Sequence, residues 1–354
     1  MSDSTDDSEY AFEYHISKIS LVISILGLLI NLFHLYILTK KELRSLSVFI
    51  LMISICLCDI TFLITKTLYS ANTIRVYQRT DYCYLYDSFL VTSIMRILVC
   101  LSIGPGSVSI WLVVLMAFYR SLSITFPFNQ GIKTLTTPKC TMLVIISIAL
   151  VDCCWEFWPF FSIYILYKRK VTNPCDYILD ANSTEPDQYA LMYMRASIPI
   201  VNTISDIDFW IMNTQLIMYI FFAILLIVSL IKTKKNQRTV SGKRDEKRDN
   251  TTKLVLAMTL VFFGTQAFHP ILNVVYYYIL EQEEMSNIVS RILQIFKSLL
   301  QIVHSSSHCF ISYLMSTQYR DTVHRVLGVE KKKMKKNVIS VTGSLALATK
   351  SSKI

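Results

Sequence analysis

Seven long apolar runs dominate the chain, near residues 19–38, 46–69, 88–119, 140–167, 209–231, 253–280 and 288–314. About 20 such residues cross the roughly 30 Å hydrocarbon layer as a helix, and in lipid a spanning segment must satisfy its own backbone hydrogen bonds. The runs therefore predict an all-α membrane protein built as a seven-helix bundle. Composition agrees: 53% of the 354 residues are hydrophobic and 17% are charged, too apolar a balance for an ordinary soluble domain.

An acidic leader with Asp3, Asp6, Asp7, Glu9 and Glu13 precedes the first run, whereas a secretory signal begins basic and has a shorter apolar core. The first run thus reads as a true span. Lys40, Lys41 and Arg44 follow it, which places the N-terminus outside. Carried along the chain, this orientation gives 22 Lys and Arg to the inner segments 39–46, 121–139, 232–252 and 315–354, and 7 to the outer segments 1–18, 70–87, 168–208 and 281–287. The bias is that of a chain with its positive loops inside. Three parts follow: an extracellular segment 1–18, a transmembrane domain 19–314 and a cytoplasmic tail 315–354. The outer segments hold 16 acidic residues, which would attract a cationic ligand or merely keep that surface soluble.

Polar groups at membrane depth are costly unless they face the bundle interior and find partners. Span one carries Asn31 and span two Asp59. Either is explained by a hydrogen bond between helices, or by a functional group that changes partner. Asp152 and Glu156 in span four are four residues apart and stack on one face. Lys66 in span two and Lys297 in span seven are the available opposite charges, so an internal ion pair and a ligand contact both fit these four. Span three ends on Arg120 and contains Gly104-Pro105-Gly106, which predicts a kink. Span six contains Phe268-His269-Pro270, a second kink, beside which His269 reads as a packed core histidine, a pH sensor or a ligand contact.

Of nine cysteines, Cys83 and Cys175 alone fall in outer loops, where oxidising conditions favour a Cys83–Cys175 bridge; Cys100 competes for Cys175 if the third helix starts later. Asn182-Ser183-Thr184 is a glycosylation acceptor on the outer side. The tail turns amphipathic after Tyr319, a short eighth helix, and reaches Lys331-Lys332-Lys333 and Lys335-Lys336, which suit anionic inner-leaflet lipid better than nucleic acid. No nucleotide loop, zinc triplet or nucleophile elbow is present, so no enzyme activity is expected.

Three stretches carry a family resemblance. Asn31-Leu32-Phe33-His34-Leu35-Tyr36-Ile37-Leu38-Thr39-Lys40-Lys41-Glu42-Leu43-Arg44, running on to Asp59, resembles the first two helices of nematode serpentine receptors of class W. Trp111-Leu112-Val113-Val114-Leu115-Met116-Ala117-Phe118-Tyr119-Arg120 resembles their third helix. His308-Cys309-Phe310-Ile311-Ser312-Tyr313-Leu314-Met315-Ser316-Thr317-Gln318-Tyr319-Arg320 resembles their seventh helix and the turn into the eighth. These are rhodopsin-like G-protein-coupled receptors related to the FMRFamide-type peptide receptors, and the resemblance covers about residues 20–325.

It implies an extracellular peptide or small-molecule ligand, a heterotrimeric G protein as partner, and a plasma-membrane location. It makes Arg120 the arginine that switches partners and meets the G protein, with Tyr119 in place of the usual acid. Lys253, His308 and Tyr319 join the same inner group. Asn31, Asp59, Ser109 and Ser305 become an interior polar network, in which Asp59, Ser109 and Ser305 hold either a sodium ion or water. Gln266 and Phe268 on span six, with His269, Lys66, Asp152, Glu156 and Lys297, become ligand-binding candidates. Two other classes fit the hydropathy: a secondary transporter using Asp59, Asp152 and Glu156 as coupling sites, and a seven-helix ligand-gated channel of opposite orientation. No paired half-chain repeat supports the transporter.

Overall fold

The computed structural model describes residues 3–44, 46–78, 89–126, 128–169, 188–193, 198–240, 264 and 286–329. Their order is α1 Asp3–Leu38, α2 Lys41–Arg44, α3 Ser47–Gln78, α4 Phe89–Thr125, α5 Gln130–Leu135, α6 Pro138–Ile163, β1 Tyr164–Arg169, β2 Gln188–Tyr193, α7 Ile198–Val240, α8 Ser286–Met315 and α9 Thr317–Val326. Six of the seven apolar runs are helices; the run 253–280 lies outside the described residues apart from Gly264, which is helical. Among the described residues, five stretches are long and apolar enough to cross a membrane: Tyr14–Leu38, Ser47–Val76, Phe89–Ser123, Pro138–Trp158 and Asp206–Ser229. Helix α8 has the length, 30 residues. Its Ser and His residues give it a polar face, and Ser305 and His308 turn that face into the bundle.

Boundaries differ from the hydropathy reading at several places: α3 runs on to Gln78, and α7 spans Ile198–Val240. Helix α1 reaches back to Asp3, so most of the acidic leader is helical. Span four ends at Ile163, and Tyr164–Tyr167, counted within it, belong to β1, which pairs antiparallel with β2 from Tyr164 opposite Tyr193 to Arg169 opposite Gln188. The aromatic and β-branched residues there suit a pleated ribbon as well as a span, and apolarity alone does not tell the two apart. Helix α4 runs past Arg120 to Thr125, so the arginine sits inside the helix and not at its end. Pro105 is accommodated without ending α4.

The core lies where α1, α3 and α4 meet, around Ile37, Phe49, Leu51, Met52, Ile55, Leu112, Val113 and Met116, with Tyr219 of α7 against it. Outward residues such as Leu29, Leu150, Val151, Ile217 and Phe221 are exposed. That inverted pattern suits helices whose outer faces meet hydrocarbon, since lipid tails give no hydrophobic drive between helices and close approach does the work instead. Small residues provide it. A Cβ on Gly27 would run into Ser306 Oγ of α8 and lie 3.3 Å from Leu63 Cδ2 of α3. One on Gly106 would lie 3.0 Å from Gln301 Nε2 of α8, and one on Gly104 3.7 Å from Glu156 Cγ of α6. Gly106 therefore lets α8 approach α4, whereas a methyl at Gly104 would meet Glu156 at ordinary contact distance.

At the inner end the turns are capped locally. Asn129 Oδ1 accepts from the amides of Gly131 and Ile132 at 2.9 and 3.3 Å to start α5. Ser316 breaks the chain between α8 and α9, its Oγ accepting from the Tyr319 amide at 3.2 Å. Helix α9 stops where Gly328 takes a φ of 73° and Val329 donates to the His324 carbonyl at 2.9 Å. It is the amphipathic helix expected after the last span, with Tyr319, Thr322 and Val323 buried.

Candidate functional site

The interior site is built by α1, α3, α8 and α9. Asn31 is fully buried, and its Nδ2 donates to the Gly27 carbonyl of its own helix at 3.0 Å and to the Ser305 carbonyl of α8 at 3.1 Å. The Cys56 thiol of α3 donates back to the Asn31 carbonyl at 3.3 Å. Ser305 Oγ donates to Asp59 Oδ1 at 3.1 Å, and His308 Nε2 lies 3.6 Å from Asp59 Oδ2, close in charge terms but beyond a direct hydrogen bond. His304 meets the His308 ring edge-on, 4.7 Å between centroids. Lower down, His34 Nδ1 lies 2.8 Å from Tyr319 Oη, and Cys309 Sγ lies 3.5 Å from the same hydroxyl.

Asn31, Asp59 and Ser305 thus come together as the sequence suggested. Ser109 is buried but makes no hydrogen bond to Asp59. Instead His308, assigned to the inner switch group, stands beside the carboxylate. A hard cation prefers a shell of oxygens. Here Asp59 has one hydroxyl in contact and an imidazole facing its other oxygen, which does not make a sodium cage.

In the inner part of α4, Arg120 is half-buried and engaged, and Tyr119 is buried, beside Thr141 of α6. The Tyr119 ring also packs on Phe118, which in turn meets Phe222 of α7 at 5.0 Å. Helix α9 is tied to this end by Tyr313 Oη to His324 Nε2 at 3.0 Å and by an exposed pair, Arg325 Nη1 to Glu42 Oε1 at 2.7 Å.

A second polar cluster joins α4, α6 and α7. Ser107 Oγ donates to Asp152 Oδ1 at 2.7 Å, and Gln215 Nε2 donates to Ser107 Oγ at 3.4 Å. Trp155 Nε1 donates to Asp208 Oδ1 at 2.6 Å. Asp152 Oδ2 is buried without a hydrogen-bond partner. Lys66 is not paired with Asp152 or Glu156, and its ammonium lies 5.6 Å from the Phe62 ring centre. Sequence reasoning missed Asp208, Ser107 and Gln215. Asp208 falls on the last residue assigned to the outer loop, although its neighbours Phe209 and Trp210 are a signal that the span had already begun.

Lys253, Gln266, Phe268, His269, Cys83, Cys175 and Asn182 lie outside the described residues, as does the Lys297 side chain. Cys100, the competitor for Cys175, is a free thiol buried in α4.

Apolar helices with outward-facing leucines and isoleucines, enclosing buried Asn, Asp, Ser and His, define a multi-pass helical membrane protein. The chain belongs to the serpentine type 7TM GPCR chemoreceptor family Srw, whose family model matches residues 18–330. It is thus a receptor of the G-protein-coupled type, in a family whose usual place is the plasma membrane. A search of the curated proteins finds no match.

Proposed function

We propose that this receptor binds an extracellular messenger, a small amidated peptide or other chemosensory ligand, between the outer halves of its helices and passes the signal to a heterotrimeric G protein. The observation that carries this reading is the buried polar column, which runs from Asp59 and Asn31 through α8 to the His34–Tyr319 contact and so links the bundle's centre to its inner rim. Packed interiors shift between discrete arrangements, so a ligand that favours one arrangement outside biases the inner rim as well. In that scheme the inner half of span six moves outward about Phe268-His269-Pro270. Arg120, with Lys253, meets the G-protein α subunit, and the buried Tyr119, His308 and Tyr319 are the switch groups behind it. The bridge Cys83–Cys175 and a glycan on Asn182 belong to the outer loops, and the basic tail rests on anionic lipid.

The test is nucleotide exchange by purified G proteins of several families on membranes carrying the full-length receptor, with a library of amidated peptides. Arg120→Ala is expected to bring exchange to the level of receptor-free membranes while peptide binding persists. Exchange that survives this substitution removes Arg120 from its role. Ligand-evoked uptake or current without exchange would favour a transporter or channel.

A further inference from the structure

Three buried atoms in the centre of the bundle have no hydrogen-bond partner: Oδ2 of Asp59 on α3 and both ring nitrogens of His308 on α8. Nε2 stands 3.6 Å from Oδ2, while Ser305 Oγ holds the other carboxyl oxygen at 3.1 Å and keeps the group aimed at α8. No heavy atom fits on the line between them, yet buried polar atoms left unsatisfied are costly. An ionised carboxylate beside a neutral imidazole would also leave one net negative charge at membrane depth, where a counter-charge is needed. Within electrostatic reach of the pair are His34 of α1, Cys56 and Cys58 of α3 and His304 of α8. Cys309 and Tyr319 lie beyond Cys56, and Asp152 and Cys153 of α6 beyond Cys58. From α4 comes Ser109, buried and not bonded to Asp59. None of these described groups is a lysine or arginine, and among the described residues no three acidic, His or Cys side chains converge to hold a metal ion.

We propose that Asp59 and His308 jointly bind one proton, which neutralises the carboxylate in the place a metal cation would otherwise take. A proton is the one cation that needs no cavity. It makes the pair neutral overall, as imidazolium with carboxylate or as imidazole with carboxylic acid. In both forms a hydrogen lies between Nε2 and Oδ2, and closing by about 0.7 Å brings the two to ordinary hydrogen-bond distance. His304, edge-on to His308 at 4.7 Å between centroids, packs that ring from its own helix. The site joins α3 to α8, so an arrangement that parts these helices separates the two groups and gives up the proton. The inference rests on the receptor reading above only for what this regulates: within that reading, the shift of α8 against α3 is linked to the release of one proton.

The test uses the full-length receptor in lipid nanodiscs, with N-methylglucamine in place of sodium and with neither ligand nor G protein. Wild type is compared with Asp59→Asn and His308→Gln, which keep hydrogen-bonding shape and cannot share a proton. The first readout is infrared absorption at about pH 7.5, where a solvated Asp or His is largely deprotonated. Wild type shows the carbonyl band of a protonated carboxyl or the ring band of an imidazolium, and each substitution removes it. The second readout is the folded-to-unfolded ratio between about pH 7 and pH 8. The unfolded pair has released the proton there and the folded pair has not, so the wild-type ratio falls about tenfold more per pH unit than that of either variant. This contribution is complete below about pH 6.5 and is lost as pH rises. His308→Gln carries both readouts if Asp59→Asn does not fold. The proposal falls if wild type shows neither band, or if both variants follow the wild-type pH dependence within about twofold per unit. It falls as well if the carboxyl band survives His308→Gln, which gives the proton to Asp59 alone, or if sodium raises the wild-type midpoint and Asp59→Asn abolishes that rise. Neither readout involves a messenger or nucleotide exchange, so the receptor reading, tested by Arg120→Ala, fails or stands separately.

Discussion

Tyr319 places its hydroxyl 2.8 Å from Nδ1 of His34, so the helix that follows the last span is fastened through the bundle to the first span. The two rings also meet at 5.3 Å between centroids. Both side chains are buried, which makes this a contact between helices and not a surface ornament.

Tyr319→Phe removes the hydroxyl and leaves His34 Nδ1 without its partner, at a cost of about 1–3 kcal/mol. His34→Ala combined with Tyr319→Phe should cost less than the sum of the two, as expected for groups in contact. Burial pushes the Tyr319 hydroxyl above its ordinary 10.0, so this stabilisation is complete below that pH and is lost as pH rises beyond it. Thermal midpoints measured between about pH 8 and pH 11 should fall for the wild type, and Tyr319→Phe should lack that component.

Gly27→Ala sets a methyl against Ser306 Oγ and Leu63, where α1 meets α8 and α3. Overpacking of this kind costs about 1–3 kcal/mol. Pairing it with Ser306→Ala should recover part of the loss in thermal midpoint. No recovery would mean that Leu63, and not the serine, sets the limit.

Replacing sodium by N-methylglucamine should leave the thermal midpoint unchanged, because Asp59 faces His308 and a single hydroxyl. Ser305→Ala should cost about 1 kcal/mol through the lost bond to Asp59. A sodium-dependent rise in midpoint that disappears in Asp59→Asn would restore the cation site.

Cys83→Ser and Cys175→Ser should lower surface expression equally and without adding, consistent with one bridge worth about 2–4 kcal/mol. Cys100→Ser should leave surface expression unchanged, since Cys100 is a buried free thiol. Equal damage from Cys100→Ser would reassign the partner of Cys175.

The membrane fold was legible because hydropathy is a local property: about 20 apolar residues cross lipid as a helix whatever their neighbours do. Asn31 and Asp59 were legible for the same reason, as costly interruptions of apolar runs that had to point inward. The resemblance on spans one, two, three and seven carried the family, and the family model bears it out over residues 18–330. Helix ends were less legible, since Tyr164–Tyr167 are apolar enough for a span yet lie in a ribbon, and Asp208 is polar enough for a loop yet lies in α7.

By itself the sequence determined that the chain crosses a membrane repeatedly, which loops are basic, and which few polar side chains must be buried. Only the tertiary structure decided who meets whom: His34 with a tyrosine 285 positions away, His308 instead of Ser109 beside Asp59, and Trp155 with Asp208. Such pairs depend on how far each helix is rotated and how closely its neighbour approaches. Contacts at Gly27 and Gly106 bear on those quantities, and no local pattern along the chain encodes the side chains across from them.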